Sequence, residues 1–506
     1  MALRTVEQYL ESLRDGRTVY IGGEKVEDVT KHPMLRLCAE GCAMEYALTH
    51  NPKYRELFVA RTQEGEPVAF TYLPAKNTED LLRYRRALQT LVRASFGRPV
   101  SAKMVGVDVL RALTVISRRV DRELKTKYSQ RVENYRKYLM ENDPTVAGAV
   151  TDVKGNRSLR PSKQVQHKDY YVRIIQETED GIIVRGAKMH IGKAPCSNEI
   201  FVCPTRNHRE EDKDYAVAFA IPANTPGVTI ISKAPEVFEQ GNYDDYPFNT
   251  CYFPAQGLII FEDVFVPEDR VFLKGEWQYS GQIAHMFANF HRLTSDAYKY
   301  PELEIVAGLA ALLAEYNGLE RVPHVRDELA WLFSYAEATE ALGLLACHHC
   351  VIDSEIGVAY PNPMYSNIAK FFHADNYHKA VKFVQDIGGG ILSTVPSLKD
   401  FFNPQTQPLV DKYLGGKAGV PTEHRIRAVA AAKDYLSCFN QAQTIHAEGS
   451  LAAQRLSIHA MADVERYKTA ARRMAGISDG KEHPMFKDLP PFPPGRYPEI
   501  LKSSGD

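Results

Sequence analysis

The pattern of hydrophobic and polar positions changes twice along the chain, and each change predicts a new kind of structure. In the first part, TEDLLRYRRALQTLVRASFG and NYRKYLMEN place apolar residues at the spacing of amphipathic helices. Pro144 cannot continue a helix, so it is predicted to end this run. Residues 1–144 are therefore predicted to form an N-terminal helical domain.

The middle segment, residues 145–275, consists of short apolar runs bounded by Gly, Pro, Asn and Asp. YYVRIIQETEDGIIVRGAKMH is typical of two strands around a turn at Glu179-Asp180-Gly181. KDYAVAFAIPANTPGVTII and QGLIIFEDVFVPEDRVF show the same pattern of short apolar runs bounded by turn residues. This pattern predicts a β-rich domain, either a small barrel or a sandwich.

Long amphipathic stretches return from residue 276, among them LEIVAGLAALLAEYNGLE and VRDELAWLFSYAEATEALGLLACHH. They predict a C-terminal four-helix-type bundle over residues 276–475, followed by an extended, Pro-rich tail over 476–506. The order helical, β-rich, helical predicts a multidomain α+β protein. No GxGxxG motif follows a predicted strand, so a Rossmann dinucleotide fold has no support.

The composition of the chain limits the classes of binding partner that can be expected. The net charge is −1, and no run of about 18 apolar residues occurs, so neither nucleic acid nor a membrane is an expected partner. A cytoplasmic location follows as the expectation, with the eight cysteines reduced and mostly buried. Cys347-His348-His349-Cys350 has the look of a metal motif, but it lies in a strong helical pattern, so no metal site is predicted.

Several collinear segments, spread from about residue 5 to about residue 455, resemble one known family. They are YLESLRDGRTVYIGGEKVEDVTKHP, NYRKYLMENDPTVAGAVTDVKGNR, DGIIVRGAKMH, DKDYAVAFAIP, LIIFEDVFVPEDRVF and QDIGGGILSTVPSLKDF. These segments are similar to the 4-hydroxyphenylacetate 3-hydroxylase family and to its relative, 4-hydroxybutyryl-CoA dehydratase. The resemblance implies an acyl-CoA-dehydrogenase-like fold, FAD as cofactor, and a homotetramer built as a dimer of dimers.

The segment TDVKGNR lies where the family has a flavin loop. Glycine permits close approach of the backbone, and the basic side chains could serve a flavin's carbonyls or pyrophosphate. The alternative interpretation is a solvated turn. The resemblance implies cofactor contacts by Thr151, Asp152, Lys154, Gly155, Asn156 and Arg157.

Two further segments carry flavin predictions. In GAKMHIGKAP, Gly192 stands where many relatives have a threonine near the reactive edge of the flavin, so a backbone amide or His190 is expected to replace it. Gln385, Gly388 and Gly389 resemble a glycine-rich turn that contacts the adenosine diphosphate half of FAD bound in a neighbouring subunit. Taken alone, such a turn is usually a helix terminator.

The dehydratase holds an iron–sulfur cluster through three cysteines and one histidine. The matching positions here are Val100, Met104, His291 and Tyr298, of which only the histidine is a suitable ligand. No iron–sulfur cluster is therefore expected. At the dehydratase's acid/base tyrosine and glutamate positions stand Ser295, Gly257 and Gln443.

The 4-hydroxyphenylacetate hydroxylases bind their phenol substrate through an arginine, a tyrosine and a histidine. Arg98 matches the arginine, but Ala102 and Gly148 stand at the other two positions. The chain is therefore predicted not to act on 4-hydroxyphenylacetate, and the small residues are expected to leave room for a larger substrate. His446, in TIHAEGS, is a further candidate for this pocket.

His291, in ANFHRLTSD, is the leading candidate for acid/base catalysis because imidazole titrates near neutral pH. The alternative is a structural histidine that caps a helix. The neighbouring Arg292 is predicted either to orient an anionic group or to face solvent.

The sequence thus favours a two-component monooxygenase. It would take FADH2 from a separate NAD(P)H:flavin reductase and use dioxygen to hydroxylate a phenol or hydroxy-heteroaromatic substrate. The alternative is a redox-neutral CoA-ester isomerase of the vinylacetyl-CoA type. A flavoprotein without enzymatic activity is the third hypothesis.

Overall fold

The computed structural model describes residues 3–235, 242–438, 440–477, 480–487 and 489. The chain divides into two compact units, Met1–Leu451 and Ala452–Asp506. The predicted extended stretch PPFPPGRYPE, residues 490–499, lies outside the described residues.

The N-terminal part is mainly helical, as predicted. Its helices are α1 Val6–Glu11, α2 Pro33–His50, α3 Arg55–Phe58, α4 Thr78–Ala94, α5 Met104–Leu124 and α6 Tyr128–Asn142. The Asn77 side chain caps α4 by accepting the N–H of Asp80 at 3.1 Å. Helix α6 stops before Asp143, whose φ of 45° is left-handed, and Pro144 follows. The predicted helix end is confirmed.

Four short strands also lie in this part: β1 Thr18–Ile21, β2 Glu24–Val26, β3 Val59–Arg61 and β4 Pro67–Ala69. Strand β1 pairs in parallel with a strand of the middle segment, with Thr18 opposite Thr229. Strand β1 of the predicted N-terminal helical domain therefore belongs to the sheet that follows.

The middle segment forms the strands β5 Val146–Ala149, β6 Arg173–Glu177, β7 Gly181–Gly192, β8 Glu199–Val202, β9 Val217–Pro222, β10 Val228–Ser232, β11 Gln256–Pro267 and β12 Val271–Lys274. The predicted hairpin around residues 179–181 is confirmed as β6 and β7.

Short 3-10 helices occur along the whole chain, at Phe70–Tyr72, Pro161–Lys163, Ala194–Cys196, Glu210–Tyr215, Glu268–Arg270 and Pro484–Phe486.

These strands build two sheets. One has the order β2-β1-β10-β11-β7-β6 and the other β12-β9-β8-β5. Both contribute to one apolar core, in which Phe219 meets Phe261 edge to face at 5.9 Å. The sheets stay open among the described strands, so the predicted barrel is wrong and the sandwich is the alternative that forms.

The C-terminal part returns to helices, with one two-stranded ribbon. The elements are α7 Trp277–Tyr316, α8 Pro323–His348, β13 Val351–Asp353, β14 Val358–Tyr360, α9 Pro363–Gly388, α10 Ile391–Thr394, α11 Leu398–Phe402, α12 Gln407–Tyr413, α13 Thr422–Leu436, α14 Asn440–Gln443, α15 Leu451–Met461 and α16 Val464–Ala475. Apolar faces of α7, α8, α9 and α13 share a core. Among the described residues, no helix is both long and apolar enough to cross a membrane.

A buried ion pair joins α4, α7 and α8. Arg85 donates to Asp296 and to Glu340, each at 2.5 Å. Burial raises the pKa of Asp296 to about 7, although Arg85 opposes the shift. Gly343 of α8 lies against this pair, and a Cβ there would overlap Asp296 Oδ2 and Arg85 Nη1. The pair links the α7 segment near His291 to α4 and α8.

Candidate functional site

His291 lies well inside the 40-residue helix α7, so the helix-capping interpretation is wrong. Its Nδ1 lies 3.0 Å from Oδ2 of Asp108, a fully buried residue of α5. Thr294 donates to the other carboxylate oxygen at 2.9 Å, and the Phe287 ring stacks on the imidazole at 5.1 Å. The ring is therefore held in one orientation, with Nε2 left for other partners.

A second ionisable group, Glu448, contacts the same helix, α7. Its Oε1 accepts a hydrogen bond from the Tyr298 hydroxyl, and its side chain is only 5% exposed. Burial raises the pKa of Glu448, while the positive charge of His291 opposes that shift. We call Asp108, His291, Tyr298 and Glu448 the proton cluster.

Sequence reasoning missed two members of the proton cluster. Glu448 lies two residues after His446 in TIHAEGS, and its backbone is left-handed with a φ of 56°. Asp108 is the acid within the largely apolar run MVGVDVLRALTVI. Two features of the sequence could have indicated them: Asp108 is an acid within an apolar helical run, and Glu448 is an acid directly before a glycine.

The candidate His446 itself is exposed, and its backbone N–H donates to Gln443 O at 2.9 Å. Arg292 is buried and donates to Asn367 Oδ1 at 2.7 Å, so its solvent-facing interpretation is wrong. Burial lowers the pKa of Arg292 to about 10. An anion-orienting role for Arg292 stays a prediction.

Lys370 of α9 approaches the proton cluster from the other side. Its side chain is fully buried, with Nζ 3.1 Å from Thr444 O and 4.0 Å from Glu448 Oε2. Burial lowers the pKa of Lys370 to about 7, and the nearby cations Lys299 and Arg292 act in the same direction.

Arg98 is buried in a different set of contacts. Its Nε donates to Phe248 O at 3.1 Å and its Nη2 to Asn249 Oδ1 at 3.2 Å, while the guanidinium lies 3.4 Å from the Phe248 ring centre. Asp434 accepts the backbone N–H groups of the same two residues at 2.6 and 3.0 Å. These contacts anchor the segment around residue 248, and substrate binding by Arg98 stays a prediction.

The expectation of extra room at Gly148 is wrong. A Cβ at this position would lie 2.5 Å from Val105 Cγ1, because α5 packs directly on β5. Ala102 is buried at 4% exposure between Ser101 and Lys103.

A small cavity lies next to the same segment and is lined by Ser101 and Lys103, but not by Ala102 itself. Its lining residues are Glu45, Thr49, Leu57, Phe58, Ala69, Phe70, Thr71, Tyr84, Ala87, Leu88, Leu91, Ser101, Lys103 and Met104. The Tyr84 hydroxyl in this wall lies 3.1 Å from Thr294 Oγ1, which in turn donates to Asp108. One wall of the cavity is thereby linked to the proton cluster.

The predicted flavin loop lies beside β7. Thr151 O accepts the N–H of Met189 at 2.8 Å, and Asp152 pairs with Lys188 at 2.9 Å. Asp152 is buried in this pair, which makes it part of the framework of the loop. The structure thus brings the segments containing Thr151 and His190 together, and cofactor contacts by these residues stay a prediction.

Left-handed backbone shapes the exposed side of this loop, with φ of 78° at Lys154 and 65° at His190. Burial and the Lys154 charge lower the pKa of His190. Gly155 has a φ of 52°, and a Cβ there would overlap the Tyr170 ring, so only glycine fits. A Cβ at Gly192 would meet nothing within 4 Å, which leaves open space beside His190. Asn156 and Arg157 are exposed.

Gln385, Gly388 and Gly389 lie at the C-terminal end of α9. The Gly389 N–H donates to Gln385 O at 2.9 Å, and its φ of 67° ends the helix. Contact with FAD in a neighbouring subunit stays a prediction.

Three of the four positions matched to the dehydratase's cluster ligands are apolar or phenolic here, and the fourth is His291. Val100, Met104 and Tyr298 are all buried, and the last two share one apolar cluster. Within the described part of the chain, no group of three or more His, Cys, Asp or Glu side chains is placed to hold a metal ion.

Comparison with known proteins decides the family. Profiles described as the N-terminal and C-terminal parts of 4-hydroxyphenylacetate 3-hydroxylase match residues 5–273 and 280–476. The chain belongs to the 4-hydroxyphenylacetate 3-hydroxylase family. The family membership and the fold implied by the sequence resemblance are thereby confirmed.

Members of this family with different activities are similar to the chain. The 4-hydroxybutyryl-CoA dehydratase/vinylacetyl-CoA-Δ-isomerase of Clostridium aminobutyricum is 32% identical over 94% of this chain and 100% of its own. The oxygenase component of 4-hydroxyphenylacetate 3-monooxygenase from Thermus thermophilus is 30% identical over 88% of this chain and 90% of its own.

Solved structures show the same two branches. An oxygen-tolerant archaeal 4-hydroxybutyryl-CoA dehydratase from N. maritimus superposes with a TM-score of 0.87 at 30% identity, over 100% of this chain and 99% of that one. An oxygenase component complexed with FAD superposes with a TM-score of 0.83 at 28% identity, over 93% of this chain and 98% of that one. Family membership therefore leaves the reaction open between the branches.

Proposed function

We propose that this chain is a flavin-dependent, redox-neutral isomerase that moves a proton between carbons of an unsaturated CoA ester, as in vinylacetyl-CoA isomerisation. The observation that supports this best is the hydrogen bond from Tyr298 to the buried carboxylate of Glu448, which brings that carboxylate to the helix that carries His291. The dehydratase's glutamate is replaced here by Gln443, and this replacement taken alone disfavours proton transfer by a histidine–glutamate pair. Glu448 supplies a carboxylate from a different position and removes that objection.

The residues of the flavin loop fit a bound FAD. Open space at Gly192, the glycine-only turn at Gly155 and the basic side chains Lys154 and Arg157 suit a planar ring with a phosphate arm. Thr151, Lys154, His190 and Gly192 would hold the ring in this proposal, and a homotetramer would add Gln385 and Gly389 of a neighbouring copy. Bound there, FAD would supply electron-transfer chemistry to the substrate carbons.

The proton cluster accounts for the proton movements. Glu448, as the carboxylate, takes a proton from C2 of a β,γ-unsaturated thioester, and the raised pKa makes it a stronger base. The protonated His291, stabilised by Asp108, returns a proton to C4. The double bond moves from C3=C4 to C2=C3, so no net oxidation or reduction occurs. No iron–sulfur cluster takes part in this proposal.

The second candidate is the FADH2-dependent monooxygenase with a separate reductase, dioxygen and an aromatic substrate. It is favoured by the His291–Asp108 dyad, which can deprotonate a phenol, and by relatives such as the "FADH(2)-dependent monooxygenase TftD" of Burkholderia cepacia. Val105 fills the space of the family's phenol-binding histidine, and Ala102 offers no hydroxyl. Because two of the family's phenol-binding side chains are missing, the monooxygenase is the less favoured of the two candidates.

One experiment in two arms separates the candidates. In the first, the FAD-loaded protein is incubated without oxygen with vinylacetyl-CoA in deuterated water, and crotonyl-CoA and its deuterium content are measured. In the second, reduced FAD, air and a panel of phenols are supplied, and hydroxylated products are measured. We expect turnover in the first arm only.

Matched variants sharpen the result. Glu448→Gln and His291→Asn are expected to abolish most crotonyl-CoA formation, whereas His446→Asn, at an exposed neighbour, is expected to keep it. Hydroxylated phenol without isomerisation would replace the proposal with the second candidate.

A further inference from the structure

The buried face of α9 is unusually polar for a helix inside a bundle. Helical bundles normally bury apolar side chains along such a face. Here a stripe of polar residues at helical spacing is buried instead, each no more than 3% exposed: Ser366, Asn367, Lys370, His373 and Tyr377. Burying polar groups costs free energy unless partners compensate them, so each needs a reason.

Most of the stripe is explained by partners that tie helices together. Ser366 donates to Asn289 at 2.6 Å, and Asn367 accepts from Arg292 at 2.7 Å, both across to α7. The Tyr335 hydroxyl of α8 donates to His373 O at 2.6 Å. These contacts are structural.

Lys370 differs because its ammonium has a poor environment for a charge. Its hydrogen bond at 3.1 Å goes to a backbone carbonyl, Thr444 O. The nearest helix, α7, presents the cations Arg292 and Lys299, and Lys299 is itself paired with Glu302 at 2.8 Å. The carboxylate that meets the Lys370 ammonium is Glu448, at 4.0 Å.

The bond to Thr444 also has a geometric consequence. Thr444 begins the turn that leads to Glu448, and the left-handed backbone of Glu448 directs its side chain inward. Lys370 therefore contacts the start of this turn and faces the carboxylate at its end.

We propose that Lys370 is a positioning residue for Glu448: it fixes the turn through Thr444 and keeps the carboxylate ionised so that it can accept a proton. This role rests on the proposed function, because it takes Glu448 to be the base. The other charged or titratable groups that face Glu448 are His291, Arg292 and Tyr298 of α7 and Lys193 after β7.

The test measures the titration of Glu448 without substrate. The infrared carboxyl signal of the full-length protein is recorded against pH, and the Glu448→Gln spectrum is subtracted to isolate this residue. In Lys370→Met the apparent pKa of Glu448 is expected to rise by about 1 to 3 units, because a cation within about 4–6 Å is lost. Lys370→Arg is expected to restore most of the wild-type value.

The matched control is Lys379→Met, at an exposed lysine of the same helix, which is expected to leave the Glu448 titration unchanged. Circular dichroism verifies that each variant is folded. A folded Lys370→Met protein with an unshifted Glu448 titration would overturn the proposal.

Activity gives an independent second readout. The acid limb of the pH profile of kcat/KM for isomerisation is expected to move to higher pH in Lys370→Met by the same amount as the infrared titration. A shifted titration in a protein that does not isomerise CoA esters would retain the positioning role and reject the proposed function. The two failures are therefore distinguishable.

Discussion

Nδ1 of His291 lies 3.0 Å from Oδ2 of Asp108, across the contact between α7 and α5. Asp108 is fully buried, and Thr294 occupies its second oxygen. A buried carboxylate bound to one imidazole nitrogen fixes the ring and stabilises its protonated form. The dyad therefore gives both candidate reactions a directed proton donor or acceptor.

Removing either member of the dyad is expected to lower catalysis strongly. We predict that His291→Asn and Asp108→Asn each lower kcat/KM by about 10²- to 10⁴-fold, the usual contribution of general acid–base catalysis. Steady-state kinetics with vinylacetyl-CoA provides the measurement. His285→Asn, at an exposed position of the same helix, is the control and is expected to retain full activity. Equal activity of all three variants would exclude the dyad from the chemistry.

Filling the open space at Gly192 is expected to strengthen cofactor binding. A Cβ at this position meets nothing within 4 Å, so a larger side chain fits without overlap. One added hydrogen bond contributes about 0.5–1.5 kcal/mol, so Gly192→Thr is predicted to lower the Kd for FAD by about 2- to 10-fold. Fluorescence titration of the apoprotein with FAD measures the change. Gly192→Val, which adds bulk without a donor, should show no such gain if the hydroxyl is responsible.

Local sequence patterns predicted those parts of the molecule that depend on local physics. The β6–β7 hairpin follows from alternation and a Gly181 turn, and the end of α6 follows from Pro144. The contact between the segments that contain Thr151 and His190 does not follow from local patterns, because these segments lie far apart in the sequence.

The features that sequence reasoning missed depend on long-range packing. Pairing of Thr18 with Thr229 joins β1 to the middle sheet, and no local pattern specifies that partner. The room at Gly148 depends on how closely α5 approaches β5. Glu448 contacts Tyr298 from a turn in which its own backbone is left-handed, and such a conformation is rare for glutamate.

The buried ion pair beside α8 predicts an unusually large effect for a small substitution. In Gly343→Ala the new methyl group would overlap Asp296 Oδ2 and Arg85 Nη1, so this buried pair has to shift or break. Breaking a buried pair costs about 3–5 kcal/mol, so we expect this loss in the free energy of unfolding. Urea denaturation followed by circular dichroism measures it.

The control for this substitution is Gly308→Ala in α7, where a Cβ meets nothing within 4 Å. Alanine is the better helix former, so this variant is expected to be neutral or to gain about 0.5–1 kcal/mol. Similar stability of both variants would mean that the pair is free to rearrange.

The pH dependence of stability tests the buried state of Lys370 without any ligand. Burial lowers its pKa from 10.5 to about 7 in the folded protein. Between these values the unfolded chain binds a proton that the folded chain does not, so this group makes stability rise with pH. Its favourable contribution is complete above the unfolded value and is lost as the pH falls through about 7.

Lys370→Met removes this dependence. Relative to the wild type, the variant is predicted to be most stabilised near pH 6 and to lose that advantage by at most about 1.4 kcal/mol per pH unit between about pH 7 and about pH 9. Urea denaturation at several pH values measures the difference, and Lys379→Met should show no such slope. A flat difference between wild type and Lys370→Met would mean that Lys370 keeps its proton when folded, and the ammonium would then face Glu448 as a permanent charge across the working pH range.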